Sequence, residues 1–141
     1  MARAVETYRG VAYPWLCDSM GHMNTQFYCT LYDGASFHFL SLVAPYAELA
    51  ARQCGWADVK QTIEYKEEVR AGALLVVSTR LLKIGTSSVS YRHELRNVET
   101  KALHSSSEHV TVLFDLQARK SARLDEAARK RVEALLEANG D

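Results

Sequence analysis

The chain has 141 residues, of which 48% are hydrophobic and 24% are charged, and these values predict one globular domain over residues 1–141. Seventeen basic residues balance seventeen acidic ones, so the net charge of zero argues against nucleic acid or an anionic membrane as a partner. Three cysteines without a C-x-x-C pair argue against a zinc ribbon or a redox dithiol. The N-terminus lacks the apolar core of a signal peptide, and no apolar run has the length of a bilayer span, so a cytoplasmic protein is predicted.

A strand, a loop and a long helix are predicted in the first part of the chain. Residues 7–13 have the character of a short strand, whereas residues 14–24 lack a period and indicate a loop. Over residues 25–43, apolar side chains recur at three- and four-residue steps with almost no charge, which predicts a buried helix. Asn24 is suited to cap this helix, and Pro45 marks its end.

Four strands and a second helix are predicted in the remainder. A loop continues through Gly55, and period-two patterns then predict strands over residues 59–69, 88–96 and 103–116. A more continuous apolar run predicts a further strand over residues 73–84. In the last of these strands the alternating apolar residues are Val110, Val112, Phe114 and Leu116. Residues 125–139 predict a polar surface helix with a narrow apolar stripe.

This order of elements limits the architecture. Consecutive strands joined by tight turns pair mostly antiparallel. One long helix that is apolar on most sides needs cover on most sides, and a curved sheet can supply it. The sequence therefore predicts an α+β fold, in which a curved antiparallel sheet wraps around one long central helix and a C-terminal helix lies on the surface.

The segment from Trp15 to Tyr28 brings polar side chains to the start of the predicted helix. Helix N-termini expose unpaired N–H groups and a partial positive charge, which suit an oxygen that gains negative charge during a reaction. Asp18 would supply a base or a nucleophile for acyl transfer, and a backbone N–H of the first helical turn would polarise the carbonyl.

The same segment resembles a known motif at Asp18, Gly21, His22, Asn24 and Tyr28. Hotdog-fold thioesterases of the 4-hydroxybenzoyl-CoA thioesterase type carry Asp-x-x-Gly-His-x-Asn followed by Tyr. The order of strands and helices is similar as well, so the resemblance covers nearly the whole chain. It implies a hotdog fold and hydrolysis of an acyl-CoA to the free acid and coenzyme A.

The resemblance also implies roles for individual residues. The family's catalytic carboxylate corresponds to Asp18, and its oxyanion-binding N–H corresponds to the backbone of Thr25. Asn24 and His22 would orient water, hold the loop or bind the thioester. The residues implied for coenzyme A are Lys83, Thr86, Ser87, Arg119, Lys120 and Arg123. No metal is required, and no cofactor other than the coenzyme A of the substrate.

Structural readings compete with several of these roles. Asp18 could be a turn residue, although the surrounding motif favours catalysis. A histidine beside a buried helix is often part of a hydrogen-bonded structure, so His22 is open to both readings. His93, His104 and His109 lie on predicted strands without metal-ligand spacing, which favours structural or exposed positions.

Two other functions remain open. In hotdog dehydratases and hydratases of acyl thioesters the carboxylate usually lies on the helix, where this chain offers only Asp33 and His38. A non-catalytic acyl-CoA-binding domain is disfavoured by the intact Asp18 motif. The edge of the sheet invites pairing with a second copy, and the resemblance implies active sites shared between subunits of a homodimer or homotetramer.

Overall fold

A computed structural model describes residues 3–137 as one curved sheet around a central helix. The strands are β1 (Val5–Val11), β2 (Cys54–Tyr65), β3 (Leu74–Ile84), β4 (Ser88–Asn97), β5 (Leu103–Asp115) and β6 (Lys120–Ser121). The helices are α1 (Thr25–Ser41), α2 (Tyr46–Arg52) and α3 (Glu126–Glu137). The sheet order is β1-β3-β4-β5-β2 with antiparallel neighbours throughout, and β6 pairs with the end of β5. The predicted α+β architecture is confirmed.

Helix α1 packs on the concave face of the sheet through one side only. Its buried residues are Tyr28, Leu31, Tyr32, Ala35, Ser36, Phe39 and Leu40. Close approach occurs at Gly34, where an added Cβ would lie 2.9 Å from the Tyr8 ring of β1. The C-terminal half of α1 also packs against α3, whose Ala128 and Val132 are buried. The predicted end of α3 at Asn139 lies outside the described residues.

Helix α2 occupies residues that the sequence predicted as loop. A seven-residue helix is too short to show a clear apolar period. Helix α1 ends at Ser41, and Pro45 is the N-cap of α2. Tertiary contacts hold α2 in place, because Arg131 of α3 pairs with Glu48 and donates a 3.2 Å hydrogen bond to the Val43 carbonyl.

Strand β2 begins and ends earlier than predicted. It starts at Cys54, inside the predicted loop, and it ends at Tyr65. Val69 follows the strand and is fully buried, and its carbonyl accepts a 2.7 Å hydrogen bond from the Met23 N–H. The apolar period extended past the strand because Val69 packs beneath the loop that precedes α1.

The face of β5 that packs towards α1 is not the face that its alternating apolar residues predict. Val110, Val112 and Phe114 are half-buried on the outer face, and Leu116 lies beyond the strand. The residues buried on the inner face are Ser105, Ser107, His109, Thr111 and Leu113. Buried polar groups are tolerated when they are hydrogen-bonded. Tyr32, for example, donates to Ser105 Oγ at 2.7 Å.

A core histidine network, formed by Thr7, Ser36, Thr79 and His93, crosses the core beneath α1. Both ring nitrogens of His93 are hydrogen-bonded, Nε2 to Ser36 Oγ at 2.9 Å and Nδ1 to Thr79 Oγ1 at 2.7 Å. Thr79 continues the network to Thr7 at 2.8 Å. The His109 ring lies 4.7 Å from that of His93. Burial lowers the pKa of His93 to about 3 and that of His109 to about 4.

Between residues 3 and 137, the structure contains no helix with the length and apolar character needed to cross a membrane.

Candidate active site

The loop before α1 folds into a tight hydrogen-bonded turn, which we call the Asp18 loop (residues 17–24). The Asp18 N–H donates to the His22 carbonyl at 2.9 Å, and the Gly21 N–H donates to the Asp18 carbonyl at 2.9 Å. Gly21 has a φ of 80°, a conformation that residues with a side chain rarely adopt. The turn brings Asp18 next to the start of α1.

The Asp18 carboxylate is held by two donors from its own loop. Oδ1 accepts a 3.0 Å hydrogen bond from the Met20 N–H, and Oδ2 accepts a 3.2 Å hydrogen bond from Asn24 Nδ2. The Met20 and Asn24 bonds, together with the nearby His22 imidazole, lower the pKa of Asp18. The carboxylate is partly exposed, and at neutral pH it is charged and able to accept a proton or attack a carbonyl.

Asn24 connects this carboxylate to the N-terminus of α1. Its Oδ1 accepts a 3.1 Å hydrogen bond from the Gln26 N–H, which confirms the predicted N-cap. The N–H of Thr25 is the first of the helix and finds no acceptor among the described residues. One side chain thus fixes the position of Asp18 relative to a free helical N–H group.

Residues 66–70 support the Asp18 loop from the far side. His22 Nε2 lies 3.4 Å from Glu68 Oε1. The backbone of His22 also forms an isolated antiparallel β-bridge with that of Arg70. The N–H groups of Lys66 and Glu67 both donate to the His104 carbonyl, at 2.8 and 3.1 Å. The segment is therefore tied to β5 as well as to the loop, and His22 takes part in a structural contact.

A cavity of about 290 Å³ opens beside Asp18. Its lining comprises Asp18, Met20, His22, Met23, Thr25, Tyr28, Tyr65, Lys66, Glu67 and Glu68. The rings of Tyr28 and Tyr65 meet edge-on at 5.0 Å. Sequence reasoning considered that Glu67 and Glu68 could approach a neighbouring active site, but it included none of residues 65–68 among the predicted site residues. Two consecutive glutamates after a strand were the available signal, but only the fold shows that this strand ends at the Asp18 loop.

The residues implied for coenzyme A lie at the opposite end of the sheet. Lys83, Thr86 and Ser87 belong to the β3–β4 end, and Arg119, Lys120 and Arg123 follow β5. The two segments meet each other, since the Leu124 N–H donates to the Thr86 carbonyl at 2.9 Å. The ten residues of β4 separate them from the Asp18 end by roughly 30 Å. Within one chain the fold does not bring them to Asp18.

The described residues contain no group of three or more histidine, cysteine, aspartate or glutamate side chains placed to hold a metal ion.

Solved structures share this architecture. A hypothetical protein from Staphylococcus aureus, in complex with CoA, matches with a TM-score of 0.88 and 14% identity over 97% of this chain and 86% of that chain. A DHNA-CoA thioesterase from Staphylococcus aureus matches with a TM-score of 0.80 and 20% identity over 95% and 93% of the two chains. For a 1,4-dihydroxy-2-naphthoyl-CoA thioesterase from Synechocystis the values are 0.75 and 16%, over 89% and 93%. These matches confirm the predicted hotdog fold.

The sequence itself matches a family model. No curated protein matched it significantly, but residues 12–132 match the model of the thioesterase-like superfamily. The match includes the Asp18 loop, α1 and all of β2–β5. Because it spans well over half of the sequence, the chain belongs to the thioesterase-like superfamily and is a thioester hydrolase.

Proposed function

We propose that this protein hydrolyses an acyl-CoA, with Asp18 as the base or the nucleophile and the N-terminus of α1 as the oxyanion site. One observation carries the proposal. The side chain of Asn24 holds the Asp18 carboxylate through Nδ2 and caps α1 through Oδ1, beside the free N–H of Thr25. A negative group and a hydrogen-bond donor for developing negative charge thus share one rigid support.

Hydrolysis at this site consists of attack on the thioester carbonyl, departure of the thiolate and transfer of a proton. Asp18 either accepts a proton from a water that attacks the thioester carbonyl, or attacks it directly to form an anhydride that water then opens. The carbonyl oxygen gains negative charge and accepts a hydrogen bond from the Thr25 N–H, supported by the helix dipole. The thiolate of coenzyme A leaves and takes up the proton. Asn24 and His22 act as positioning residues, since their polar atoms contact Asp18, Gln26 and Glu68.

We infer that the working form is at least a homodimer. Among the described strands β2 pairs with β5 alone, so one edge of its 12 residues is open. Val59 on this strand is 61% exposed. Open edges favour pairing, and a two-fold pairing of identical strands is antiparallel. The start of β2 in one copy would then lie beside the end of β2 in the other.

This pairing gives the distant basic residues a role. Arg119, Lys120 and Arg123 lie near the start of β2, because β5 ends beside Cys54. In the dimer they would approach the cavity of the second copy and meet the phosphates of its coenzyme A. The solved neighbour in complex with CoA supports this ligand.

The three cysteines are unpaired thiols, which suits the predicted cytoplasmic location.

The dehydratase alternative finds less support in the geometry. Asp33 and His38 are both exposed on the outer side of α1, and neither lines the cavity beside Asp18. A non-catalytic domain would bind acyl-CoA without turnover, and the assay below separates it from an enzyme.

The test measures release of free thiol from a panel of acyl-CoAs by wild type, Asp18→Asn and Asp33→Asn. We expect Asp18→Asn to lose activity about 100-fold or more and to remain folded, because Asn cannot act as base or nucleophile. Asp33→Asn is the matched control and should retain full activity. An inactive wild type, or a loss confined to Asp33→Asn, would contradict the proposal.

The dimer is tested separately by light scattering at micromolar protein concentration. A mass of two or four chains is expected, and a monomer would contradict the shared site.

A further inference from the structure

Residues 66–70, between β2 and β3, border the cavity beside Asp18 and lie outside every helix and strand. We call them the cavity segment. Its members in the cavity lining are Lys66, Glu67 and Glu68. The C-terminal part of the segment is attached to the Asp18 loop, because the Val69 carbonyl accepts the 2.7 Å hydrogen bond from the Met23 N–H. The shape of the cavity therefore depends on what holds the N-terminal part.

His104 of β5 holds that part with its backbone and its side chain. Its carbonyl accepts the hydrogen bonds of the Lys66 and Glu67 N–H groups, at 2.8 and 3.1 Å. Its ring Nδ1 lies 3.0 Å from the Glu67 carbonyl oxygen. A carbonyl only accepts hydrogen bonds, so Nδ1 carries the proton and donates it. Both backbone polar groups of Glu67 are thus bonded to one residue.

A β-bulge places His104 for this contact. Leu95 of β4 faces Ser105 of β5, and the next residue, Arg96, faces Leu103. His104 is therefore an extra residue of β5, and a bulge of this kind re-aims the side chain that it carries. The residue is only 4% exposed, and its Nε2 has no hydrogen-bond partner among the described residues. The polar contribution of the ring is confined to the bond from Nδ1.

We propose that His104 is a positioning residue for thioester hydrolysis, whose Nδ1–H fixes the cavity segment so that residues 66–68 meet the bound substrate as a rigid wall. The inference rests on the proposed function. His104 is not part of the cavity lining, so it acts through Glu67. The Asp18 carboxylate is oriented by donors of its own loop, and its position does not depend on His104.

Loss of the Nδ1 donor should weaken substrate binding more than it slows the chemistry. His104→Leu keeps a bulky side chain but removes the bond to the Glu67 carbonyl. A wall that contacts the substrate equally in the ground and transition states affects KM alone. We expect KM for an acyl-CoA to rise about fivefold and kcat to stay within about twofold of wild type.

Two conservative variants separate the hydrogen bond from packing. The amide nitrogen of Asn can take the place of Nδ1, whereas that of Gln extends to the place of Nε2. His104→Asn should therefore have the KM of wild type, and His104→Gln should resemble His104→Leu. A role in packing alone predicts the reverse order, since Gln is closer than Asn to the size of an imidazole. This pair also decides the question if His104→Leu does not fold. Equal KM values in the two variants, or the reverse order, would overturn the inference.

His109→Gln is the matched control. His109 is also a buried histidine of β5, its Nε2 is hydrogen-bonded to Ser107 Oγ at 2.6 Å, and neither residue lines the cavity. The folded variant should keep the KM of wild type. A KM raised as much as in His104→Gln would overturn the inference, because any change in the core would then have this effect.

Amide hydrogen exchange supplies a readout that needs no substrate. In folded protein, the N–H groups of Lys66 and Glu67 should exchange faster in His104→Gln than in wild type, and at the wild-type rate in His104→Asn. Exchange rates that are the same in both variants would overturn the inference.

The two proposals fail in different ways. A wild type that hydrolyses no acyl-CoA would overturn the proposed function, and the role of His104 in it. A wild type that is active and that loses activity with Asp18→Asn, but whose KM is the same in His104→Asn and His104→Gln, would leave the function intact and overturn the role of His104 alone.

Discussion

The Asp18 loop and the core histidine network both consist of hydrogen-bonded polar side chains, but they hold opposite states of charge. In the loop, donors converge on a partly exposed carboxylate and lower the pKa of Asp18, so it stays negative. In the core, desolvation lowers the pKa of His93 to about 3, so it stays neutral between two hydroxyls. Access to water decides the outcome, because a buried charge costs more than neutral hydrogen bonds return.

The largest predicted effect of this difference is a loss of folding stability at acidic pH. The pKa values of His93 and His109 are lower in the folded chain, at about 3 and 4, than the ordinary value of 6.5. The unfolded chain therefore binds more protons below pH 6.5, and stability is lost as pH falls toward the folded values. Each histidine contributes about 1.4 kcal/mol per pH unit in this window. We expect urea denaturation to show a free energy of unfolding about 4 kcal/mol lower at pH 5 than at pH 7.

Asp18→Asn is the control for this measurement. The Asp18 carboxyl is ionised in both the folded and the unfolded chain between pH 7 and pH 5, so this variant should show the same loss. Equal stability of wild type at the two pH values would contradict the account.

Replacement of His93 by Leu should disrupt the core histidine network and leave the structure of the Asp18 loop unchanged. The Ser36 hydroxyl and the Thr79 hydroxyl would each lose one hydrogen-bond partner in a buried site, which costs about 2 kcal/mol. Activity per folded molecule should stay at the wild-type level. Chemical denaturation and an assay at low temperature check both parts.

A triple variant sharpens this result. Ser36→Ala and Thr79→Val, added to His93→Leu, remove the two hydroxyls that had paired with His93 and should restore part of the stability. A triple variant less stable than His93→Leu would mean that the network contributes more than the satisfaction of its own polar groups.

Asn24 should give the smallest effect on stability and a distinct effect on chemistry. Asn24→Ala removes the cap of α1 at a cost of about 1 kcal/mol. It also removes a donor to Asp18, so the pKa of Asp18 should rise and the acidic limb of the pH–rate profile should move to higher pH.

Asn24→Ser separates the two roles of Asn24. Serine caps helices well but lacks the amide donor that reaches Asp18, so stability should return while the altered pH profile remains. A pH profile restored by Ser would show that the cap alone governs the carboxylate.

Much of the fold followed from the sequence because its patterns are long. The apolar period of α1 and the alternation of Val89, Tyr91, His93 and Leu95 each extend over enough residues to be unambiguous, and the structure buries that face of β4. The cap at Asn24 was also predictable, since capping depends on residues that are adjacent in sequence.

The errors arose where tertiary contacts decide. Helix α2 is held by Arg131, which is distant in sequence, and β5 turns its polar face inward because Tyr32 and other core groups satisfy it. Residues 65–68 line the cavity beside Asp18, and their position depends on where β2 ends, which the local sequence pattern did not predict. For the coenzyme A residues, the resemblance gave positions in the sequence but did not say which subunit's Asp18 they would serve.

Every bond that orients the Asp18 carboxylate comes from residues at most six positions away in the chain. A larger cavity, of about 470 Å³, is lined instead by the end of α1, by α2 and by the start of β2. If this larger cavity binds the acyl group, reactivity and selectivity are encoded in separate stretches of sequence. A lineage with this plan can exchange one acyl group for another by substitutions in α2 and leave its reactive segment unaltered, and a protein engineer can confine a mutant library to the same few positions.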